Sequence, residues 1–466
     1  MSYEPPSLMR SDERGKHQGL DIAEEPVTPY AYDGYNPEPR MEEPPAPPAH
    51  KPGVLNRVSA AIGSWTPAVM LVTYFVFSIA FYTLLSNGAE KVFWFLLLTI
   101  ATIMAGSTAL EAYDSMALHA AARKSIAKAE KQDSKVLTAA EELPTLDIIF
   151  DNGPDMILDI QQLRQFSEST TYPREKLRLI VLCTPESQMA RFDVQSNGGM
   201  HFVNVPHWCA ASLGSRLTYA FQANAPAAIT ALFNGDQTPH PHSPTYAVSR
   251  LVQDAKAKII QGRRVLAPQS SSLIASLASL EFDFEYATLR PGRTSTWALP
   301  VSNGSNSYWR SDALQQAAGD IANSFGRGED LGFAAFSRFA NAKQDLSVIS
   351  YEPCAHSWLA YWRRQVRHAK ESCMATLRWT KLAFMPTGKG NPKRTILTRF
   401  GIAYLLPLQR VGAHAVLQYF SMALALLFTE APSSPLQLAY LIYFPYTISI
   451  WLIVGGQVFQ HTPLSH

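Results

Sequence analysis

The sequence predicts an α/β domain with a mainly parallel sheet, flanked by two transmembrane helical hairpins. Between about residues 143 and 261, short apolar runs alternate with amphipathic stretches, which is typical of strands joined by helical crossovers. Two pairs of uncharged apolar runs, each long enough to cross a bilayer as a helix, lie before and after this region. The composition agrees, because 47% of the 466 residues are hydrophobic and only 17% are charged.

The first predicted hairpin lies in residues 55–112 and follows a Pro-rich tail, residues 1–54, that lacks a hydrophobic period and is predicted to be disordered. Its two runs are Trp65–Leu85 and Val92–Leu110. Four basic residues follow the second run, whereas the connecting loop holds one lysine, so the positive-inside rule places the next segment in the cytosol. The alternative is a buried helical pair within a soluble domain.

The second predicted hairpin lies in residues 401–466 and consists of the runs Val411–Thr429 and Leu436–Val458. Five basic residues precede it and none lies in its connection. Together the two hairpins predict a multi-pass protein of the plasma membrane or an endomembrane. Both termini and the central domain, residues 113–350, are then cytosolic.

Within the central domain we predict five strands, three helices and a less regular stretch from about residue 262 to residue 350. The strands are Leu146–Phe150, Leu177–Cys183, Phe202–Val205, Ala227–Phe233 and Lys258–Gln261, and the helices are Asp155–Phe166, Leu213–Phe221 and Tyr246–Ala255. In the following segment, residues 351–400, the stretch Trp358–Lys381 is basic, aromatic and amphipathic. Such a stretch favours a membrane surface.

A short acidic turn ends the fourth predicted strand. The apolar run from Ile229 passes into Asn234-Gly235-Asp236 and is stopped by Pro239. Ligands of open α/β sheets bind at the carboxyl ends of strands, and hard cations prefer oxygen ligands. Asp236 is therefore a candidate ligand for a divalent cation that holds a diphosphate. The alternative is an ordinary turn, in which Asn, Gly and Asp are common.

Net charge, cysteine usage and the predicted crossings disfavour a nucleic-acid-binding protein, a disulfide or zinc framework, and a transporter. Forty Lys plus Arg against 38 Asp plus Glu leave nothing in the total to suggest a nucleic-acid partner. Four scattered cysteines without a CxxC pair fit reduced thiols better than a disulfide framework or a zinc site. The predicted crossings contain almost no charged residues, which disfavours a transporter.

Seven motifs occur in an order that resembles the membrane-embedded family-2 glycosyltransferases, the group of cellulose, chitin and hyaluronan synthases and related fungal polysaccharide synthases. They are Pro144-Thr145-Leu146-Asp147-Ile148-Ile149, Tyr172-Pro173, Asn234-Gly235-Asp236, Gln261-Gly262-Arg263, Asn303-Gly304-Ser305-Asn306-Ser307-Tyr308-Trp309-Arg310, Gly328-Glu329-Asp330 and Arg364-Gln365-Val366-Arg367-His368. The last resembles the family's (Gln/Arg)-x-x-Arg-Trp signature. The resemblance covers about residues 140 to 380 and implies a GT-A-like nucleotide-sugar-binding fold.

The resemblance also implies roles for individual residues. Asp330 would be the catalytic base with Glu329 beside it, and Mn²⁺ or Mg²⁺ would be the cofactor. The implied cation ligands are Asp236 and Asn234, the implied nucleotide-sugar ligands are Glu186, Asp236, Arg364 and Arg367, and the implied acceptor-binding residues are Asn303, Gly304, Ser305, Asn306, Gln365 and His368. Arg364 and Arg367, three positions apart, would share a helix face on which guanidinium groups could hold phosphate. An interfacial helix is their alternative. The alternative is a solvated helix start for Glu329-Asp330 and a plain surface turn for residues 303–306.

Three departures from the family pattern leave two functions open. Leu182-Cys183-Thr184-Pro185-Glu186-Ser187 stands where the family has Asp-Asp-Gly, Asn234 replaces the first carboxylate of Asp-x-Asp, and His368 replaces a tryptophan. The first expectation is an integral-membrane glycosyltransferase that transfers a sugar from a UDP-sugar to a polysaccharide or glycolipid acceptor, with inversion. The alternative is a catalytically impaired subunit or scaffold of a polysaccharide synthase. Expected partners are the donor, a carbohydrate or lipid acceptor, membrane lipids, and either a synthase complex or further copies of this chain.

Overall fold

The computed structural model describes most of the chain from residue 143 to residue 410 and a helix before it. The described residues are 88, 91, 103, 106–108, 110–124, 143–152, 158–185, 200–210, 212–267, 273–322, 328–339, 341–355, 357–388 and 391–410. The tail, Glu186, three of the four predicted membrane runs and most of Val92–Leu110 lie outside them. Within these ranges we find no helix whose length and hydropathy would let it span a bilayer.

Eight strands form one sheet in the part of the chain that the structure describes. They are β1 (Leu146–Asn152), β2 (Leu177–Cys183), β3 (Met200–Asn204), β4 (Ile229–Asn234), β5 (Thr238–Pro239), β6 (Ile259–Ala267), β7 (Ser307–Arg310) and β8 (Ala342–Pro353), in the order β3-β2-β1-β4-β7-β6-β8-β5. Neighbours β3-β2, β2-β1, β1-β4 and β6-β8 are parallel, and the other three pairs are antiparallel. The predicted α/β class is confirmed, with a mixed sheet whose parallel pairs outnumber its antiparallel ones.

The first strand shows why the sheet forms here. Neighbouring residues of a strand point to opposite faces, and β1 is buried along its whole length. Ile148 and Phe150 pack in one apolar cluster, where the rings of Phe150 and Phe233 stack at 5.7 Å. Ile149 packs in a second cluster with Leu232. Helices therefore cover both faces of this sheet, which explains the nearly continuous apolar run.

The helices surround the sheet. They are α1 (residues 110–124), α2 (Ile160–Ser169), α3 (His207–Ala210), α4 (Leu213–Ala223), α5 (Ser243–Gln253), α6 (Leu273–Asp283), α7 (Arg290–Thr296), α8 (Ser311–Ile321), α9 (Gly328–Arg338), α10 (Trp358–Trp379) and α11 (Ile396–Tyr404). A π-helical turn, Phe284–Leu289, joins α6 to α7. The three predicted helices are present as α2, α4 and α5 with shifted ends. Helix α2 begins later than predicted because the Asp159 side chain caps it, accepting hydrogen bonds from the backbone N–H groups of Gln161 and Gln162.

The expectation of a less regular chain from 262 to 350 was wrong. This region holds β7, α8, α9 and most of β8. Polar residues interrupt the apolar period of β8, so its sequence does not announce a strand. Pairing with β6 supplies the order instead, with Arg264 opposite Ser350 and Leu266 opposite Glu352. This pairing carries the polar residues of β6 and β8 to the site described below.

The predicted amphipathic stretch forms α10, which is anchored at its C-terminal end. Its buried residues, Ser372, Ala375, Thr376 and Trp379, follow a helical spacing. At its other end Trp358 and Trp362 leave 61% and 57% of their surface exposed. The helix therefore carries one packed end and one exposed aromatic end.

Candidate active site

The carboxyl ends of β1 and β4 lie side by side, with Asp151 in register with Asn234. The Asp151 carboxylate is committed to Arg216, which donates to both of its oxygens at 2.7 and 2.6 Å. The following turn is tied to β1, because the backbone N–H of Gly235 donates to the Asp151 carbonyl at 3.0 Å. This contact brings Asp236, the predicted cation ligand, to the end of β1.

Asp236 has an unsatisfied carboxylate oxygen. Its Oδ1 is buried and has no hydrogen-bond partner among the described residues. Burial and the nearby Glu352 raise the pKa of Asp236 to about 6, against the opposing charges of Arg264 and Arg364. A buried polar atom without a partner calls for a ligand, a water or an ion. Within the described part of the protein alone, Asp236 therefore keeps one carboxylate oxygen without a hydrogen-bond partner.

Glu352, on β8, binds two arginines beside Asp236. It accepts hydrogen bonds from Arg264 at 2.5 Å, Arg364 at 2.6 Å and the Gln237 amide at 3.0 Å. Burial alone would raise the pKa of Glu352, but the two arginines outweigh it and lower that pKa. We call Asp236, Gln237, Arg264, Glu352 and Arg364 the donor-side cluster. Sequence reasoning found Asp236 and Arg364 but missed Arg264 and Glu352, which lie outside the motifs.

The donor-side cluster offers oxygen ligands to a divalent cation. It does not offer a full set of acidic ligands. The described residues contain no group of three or more His, Cys, Asp or Glu that could hold a metal ion. The backbone N–H of Asn234, the second predicted ligand, donates to Gln237 Oε1 at 3.3 Å. The unsatisfied Oδ1 of Asp236 is of the hard oxygen type that Mn²⁺ and Mg²⁺ prefer. The residues present fit a cation that also uses oxygens of its substrate.

The predicted acid pair begins α9 and is buried. Glu329 accepts a hydrogen bond from Arg290 at 2.7 Å. Asp330 accepts one from the Trp379 indole N–H at 2.7 Å and forms an ion pair with Arg378 at 2.9 Å. We call these five residues the acid-side cluster.

Sequence reasoning missed Arg378 and Trp379, although a signal for them was present. They form an Arg-Trp dipeptide in α10, the ending of the signature that was matched at Arg364 to His368. With that placement, Ala375 stands where the signature has Gln or Arg. The indole that contacts Asp330 is therefore supplied eleven residues beyond His368.

A cleft of about 700 Å³ opens onto the acid-side cluster. Glu329 and Asp330 form one wall and α10 forms the other, through Leu359, Trp362, Arg363, Val366, Arg367, Lys370, Glu371 and Met374. The predicted Arg367 thus shares a cleft with the acid pair, whereas Arg364 contacts Glu352. Gln365 instead donates to Glu281 at 2.7 Å. The cleft therefore gives the buried acid pair access to a molecule from outside the protein.

The predicted acceptor loop, residues 303–306, is buried between the two clusters rather than exposed as a surface turn. Gln261 holds it: its Oε1 accepts from the Asn303 N–H at 2.8 Å, and its Nε2 donates to the Ser305 carbonyl at 2.9 Å. Gly304 and Asn306 adopt positive φ angles of 75° and 48°. The acceptor role of this loop stays a prediction, since its polar groups hold the protein together.

This loop connects the clusters. The Ser305 hydroxyl donates to Gln237 on the donor side, and the Asn303 amide oxygen accepts from Arg290 on the acid side. A second link is the ring of Tyr286, which lies 4.5 Å from the Arg264 guanidinium carbon and 4.7 Å from that of Arg290. The two clusters therefore form one continuous polar interior.

No family model and no curated protein matches the chain. Among solved structures, a mannosyltransferase from Pyrobaculum calidifontis, in complex with GDP-Man and Mn²⁺, is 18% identical at a TM-score of 0.46 and covers 75% of this chain and 97% of its own. TarS from S. aureus is 9% identical at 0.32, covering 50% and 39%. Glucosyl-3-phosphoglycerate synthase from Mycobacterium tuberculosis is 14% identical at 0.34, covering 52% and 82%. At TM-scores below 0.5, none of these likenesses assigns an activity to this chain.

Proposed function

We propose that this chain is an integral-membrane glycosyltransferase that transfers a sugar from a UDP-sugar to a hydroxyl group of a polysaccharide or glycolipid acceptor. One observation carries the proposal. A pair of arginines, the buried Arg264 and the partly buried Arg364, lies beside the unsatisfied Asp236 and is joined, through one buried loop, to a cleft whose wall holds Asp330. The first set of groups suits a diphosphate, and the second suits a hydroxyl that must lose a proton.

On the donor side, Arg264 and Arg364 would bind the diphosphate in exchange for the Glu352 carboxylate. Guanidinium groups bind carboxylate and phosphate oxygens with the same forked geometry, so a diphosphate can replace a carboxylate on them. Asp236 would hold Mn²⁺ or Mg²⁺, which would neutralise the charge that develops on the leaving diphosphate.

On the acceptor side, Asp330 would act as the general base. The acceptor oxygen forms a bond to the anomeric carbon of the sugar while the bond from that carbon to the UDP oxygen breaks. The hydroxyl proton passes to Asp330, and UDP leaves with the electron pair. One displacement of this kind inverts the anomeric carbon, as the family resemblance implies. The hydrogen bond from Trp379 and the ion pair with Arg378 would orient the carboxylate for this transfer.

Attachment to a membrane rests on the predicted hairpins and on the exposed apolar side chains of the described part. Trp358, Leu359 and Trp362 expose 61%, 52% and 57% of their surface on the first turns of α10. In α11, Ile396 and Phe400 expose 88% and 57%. Exposed aromatic and aliphatic groups beside basic residues support contact with a lipid surface.

The proposal is tested by sugar transfer in microsomes that carry the full chain. Label should pass from UDP-glucose or UDP-N-acetylglucosamine to an acceptor, and Asp330→Asn should lower the rate about 10²- to 10⁴-fold because the general base is lost. Asp312→Asn is the control, since its side chain is 59% exposed and pairs with Lys258 at 3.3 Å. Equal transfer by wild type and Asp330→Asn would overturn the assignment of the base.

The second candidate, a catalytically impaired subunit or scaffold of a synthase, is favoured by one observation. Glu352 already occupies Arg264 and Arg364, so the protein alone satisfies the groups that a donor would use. Calorimetric titration of the detergent-purified chain with UDP and Mn²⁺ separates the two candidates. Binding supports the transferase, and no measurable heat at millimolar ligand favours the scaffold.

A further inference from the structure

Asn152, the last residue of β1, has a buried oxygen that nothing in the fold explains. The side chain is 1% exposed, and its Oδ1 has no hydrogen-bond partner among the described residues. Asn152 pairs in register with Cys183 at the end of β2, so it stands at the edge of the sheet where the parallel strands terminate. An amide oxygen that is removed from water without a partner is costly, unless a ligand completes it.

The turn after β4 lies directly against this oxygen. A Cβ atom added at Gly235 would lie 3.0 Å from Asn152 Oδ1 and 3.1 Å from Asn152 Cα. Glycine at 235 therefore lets the turn approach Asn152 more closely than a residue with a side chain would allow. The next residue is Asp236, whose Oδ1 is the second buried oxygen without a partner. The two unsatisfied oxygens thus belong to Asn152, which contacts Gly235, and to Asp236, which follows Gly235 in the chain.

The neighbouring groups are already used. Asp151 is held by Arg216 through both carboxylate oxygens, and Glu352 is held by Arg264 and Arg364. These three arginines therefore donate no hydrogen bond to Asn152 Oδ1 or Asp236 Oδ1. An arrangement of one carboxylate oxygen and one amide oxygen is a donor set that hard divalent cations accept.

We propose that Asn152 Oδ1 and Asp236 Oδ1 together bind a divalent cation. Asn152 then supplies the second oxygen ligand, the role that was predicted for Asn234. The inference rests on the cation of the proposed function, but cation binding can be measured without donor, acceptor or turnover. The remaining coordination positions would be filled by water and, when donor is bound, by phosphate oxygens.

The test is a titration of the detergent-purified full chain with Mn²⁺, in which electron paramagnetic resonance reports free Mn²⁺ in the absence of nucleotide. Asn152→Leu should weaken binding about tenfold or more because it removes a ligand, and Asn152→Asp should tighten it about as much by adding a charge. Asn204→Asp is the control. It adds the same charge at the exposed end of β3, which β2 separates from β1, and should leave binding unchanged.

Unchanged Mn²⁺ binding in both Asn152 variants, or no binding in the wild type, would overturn the inference. Thermal unfolding with and without Mn²⁺ guards against misfolding: Asn152→Asp should gain more thermal stability from Mn²⁺ than the wild type gains. Sugar transfer is measured separately. Asn152-dependent Mn²⁺ binding without transfer would leave this site standing while the proposed function fails, and transfer with Asn152-independent binding would do the reverse.

Discussion

Asp236 belongs to one cluster and Asp330 to the other, and their carboxylates have opposite surroundings. Asp330 Oδ1 is met by the Trp379 indole at 2.7 Å and the Arg378 guanidinium at 2.9 Å. Asp236 Oδ1 is buried and met by nothing in the described residues, and the pKa of Asp236 is raised to about 6 by burial and Glu352. A carboxylate that is fixed by its own protein is ready to act on a substrate, whereas an unsatisfied one is completed by what binds there.

The arginines differ in the same sense. On the donor side, one acid, Glu352, holds two arginines from different elements, β6 and α10. On the acid side, one arginine, Arg290, holds Glu329 and Glu285. Each cluster holds two acids and two arginines, but on the donor side both arginines share a single acid, which a diphosphate would replace under the proposed function. The proposed function accordingly places the donor at the first cluster and the acceptor at the second.

The largest expected effect on stability comes from Glu352→Gln. The buried Arg264 and the partly buried Arg364 then lose their shared carboxylate, and we expect the free energy of unfolding to fall by about 3–5 kcal/mol. UDP should restore part of this loss, because its diphosphate supplies the missing negative charge. Chemical denaturation with and without UDP measures both effects.

The control for this comparison is Glu281→Gln, which removes an exposed acid on α6 that contacts Tyr361 and Gln365. It should change stability little, and UDP should stabilise it as it does the wild type. If UDP stabilises Glu352→Gln no more than it stabilises the control, Arg264 and Arg364 do not bind the diphosphate.

A second prediction uses the raised pKa of Asp236, about 6 instead of 3.8. The fold prefers protonated Asp236, so its contribution to stability is fully present below pH 3.8 and is lost as pH rises through 6. At about 1.4 kcal/mol per pH unit, the loss is about 3 kcal/mol. The difference in unfolding free energy between wild type and Asp236→Asn should change by this amount from about pH 4 to pH 7.

Asp312→Asn, on the surface, should show no such change in its difference from wild type. Glu352 acts in the opposite direction and at lower pH, because its lowered pKa gives stability that is lost only as pH falls below 4.5. Mn²⁺ should return stability to the wild type at the upper end of the range and not to Asp236→Asn. A pH-independent difference would show that Asp236 is not buried in the way that its contacts suggest.

Sequence patterns located those parts of the candidate site that follow directly from a regular element. The strand Leu177–Cys183 was predicted with its correct ends, and Asp236 was predicted from an apolar run that stops at a turn. For the strand and the turn, the local chemistry and the tertiary fold demand the same residues, so the local pattern is informative. The acid pair does begin a helix, α9, but it is buried, whereas a Glu-Asp pair at a helix start is ordinarily solvated.

The parts that escaped prediction depend on pairing across the sheet. Glu352 lies in a strand whose polar residues hide its period, and only its pairing with β6 brings it to Arg264. The loop at 303–306 resembles a surface turn because Gly and Asn favour positive φ, but its hydrogen bonds to Gln261 bury it. Such long-range partners are not encoded in a local pattern.

The smallest expected effect comes from Trp379→Phe, which sharpens the contrast at Asp330. The variant keeps a ring against Phe333, whose ring centroid lies 6.2 Å from that of Trp379, but removes the N–H that reaches Asp330. Because a buried carboxylate loses one donor while Arg378 remains, unfolding free energy should fall by about 1–3 kcal/mol. Trp358→Phe, at a position with 61% exposure, should cost much less.

The same variant separates positioning from folding. If the indole orients the base, Trp379→Phe lowers kcat and leaves the KM for the UDP-sugar unchanged, because the donor-side cluster is intact. If the indole only supports the fold, stability falls while kcat per folded molecule stays at the wild-type value. A matched fall in stability by Trp358→Phe would show that Asp330 does not depend on Trp379, and the contrast between the two aspartates would then rest on Arg378 alone.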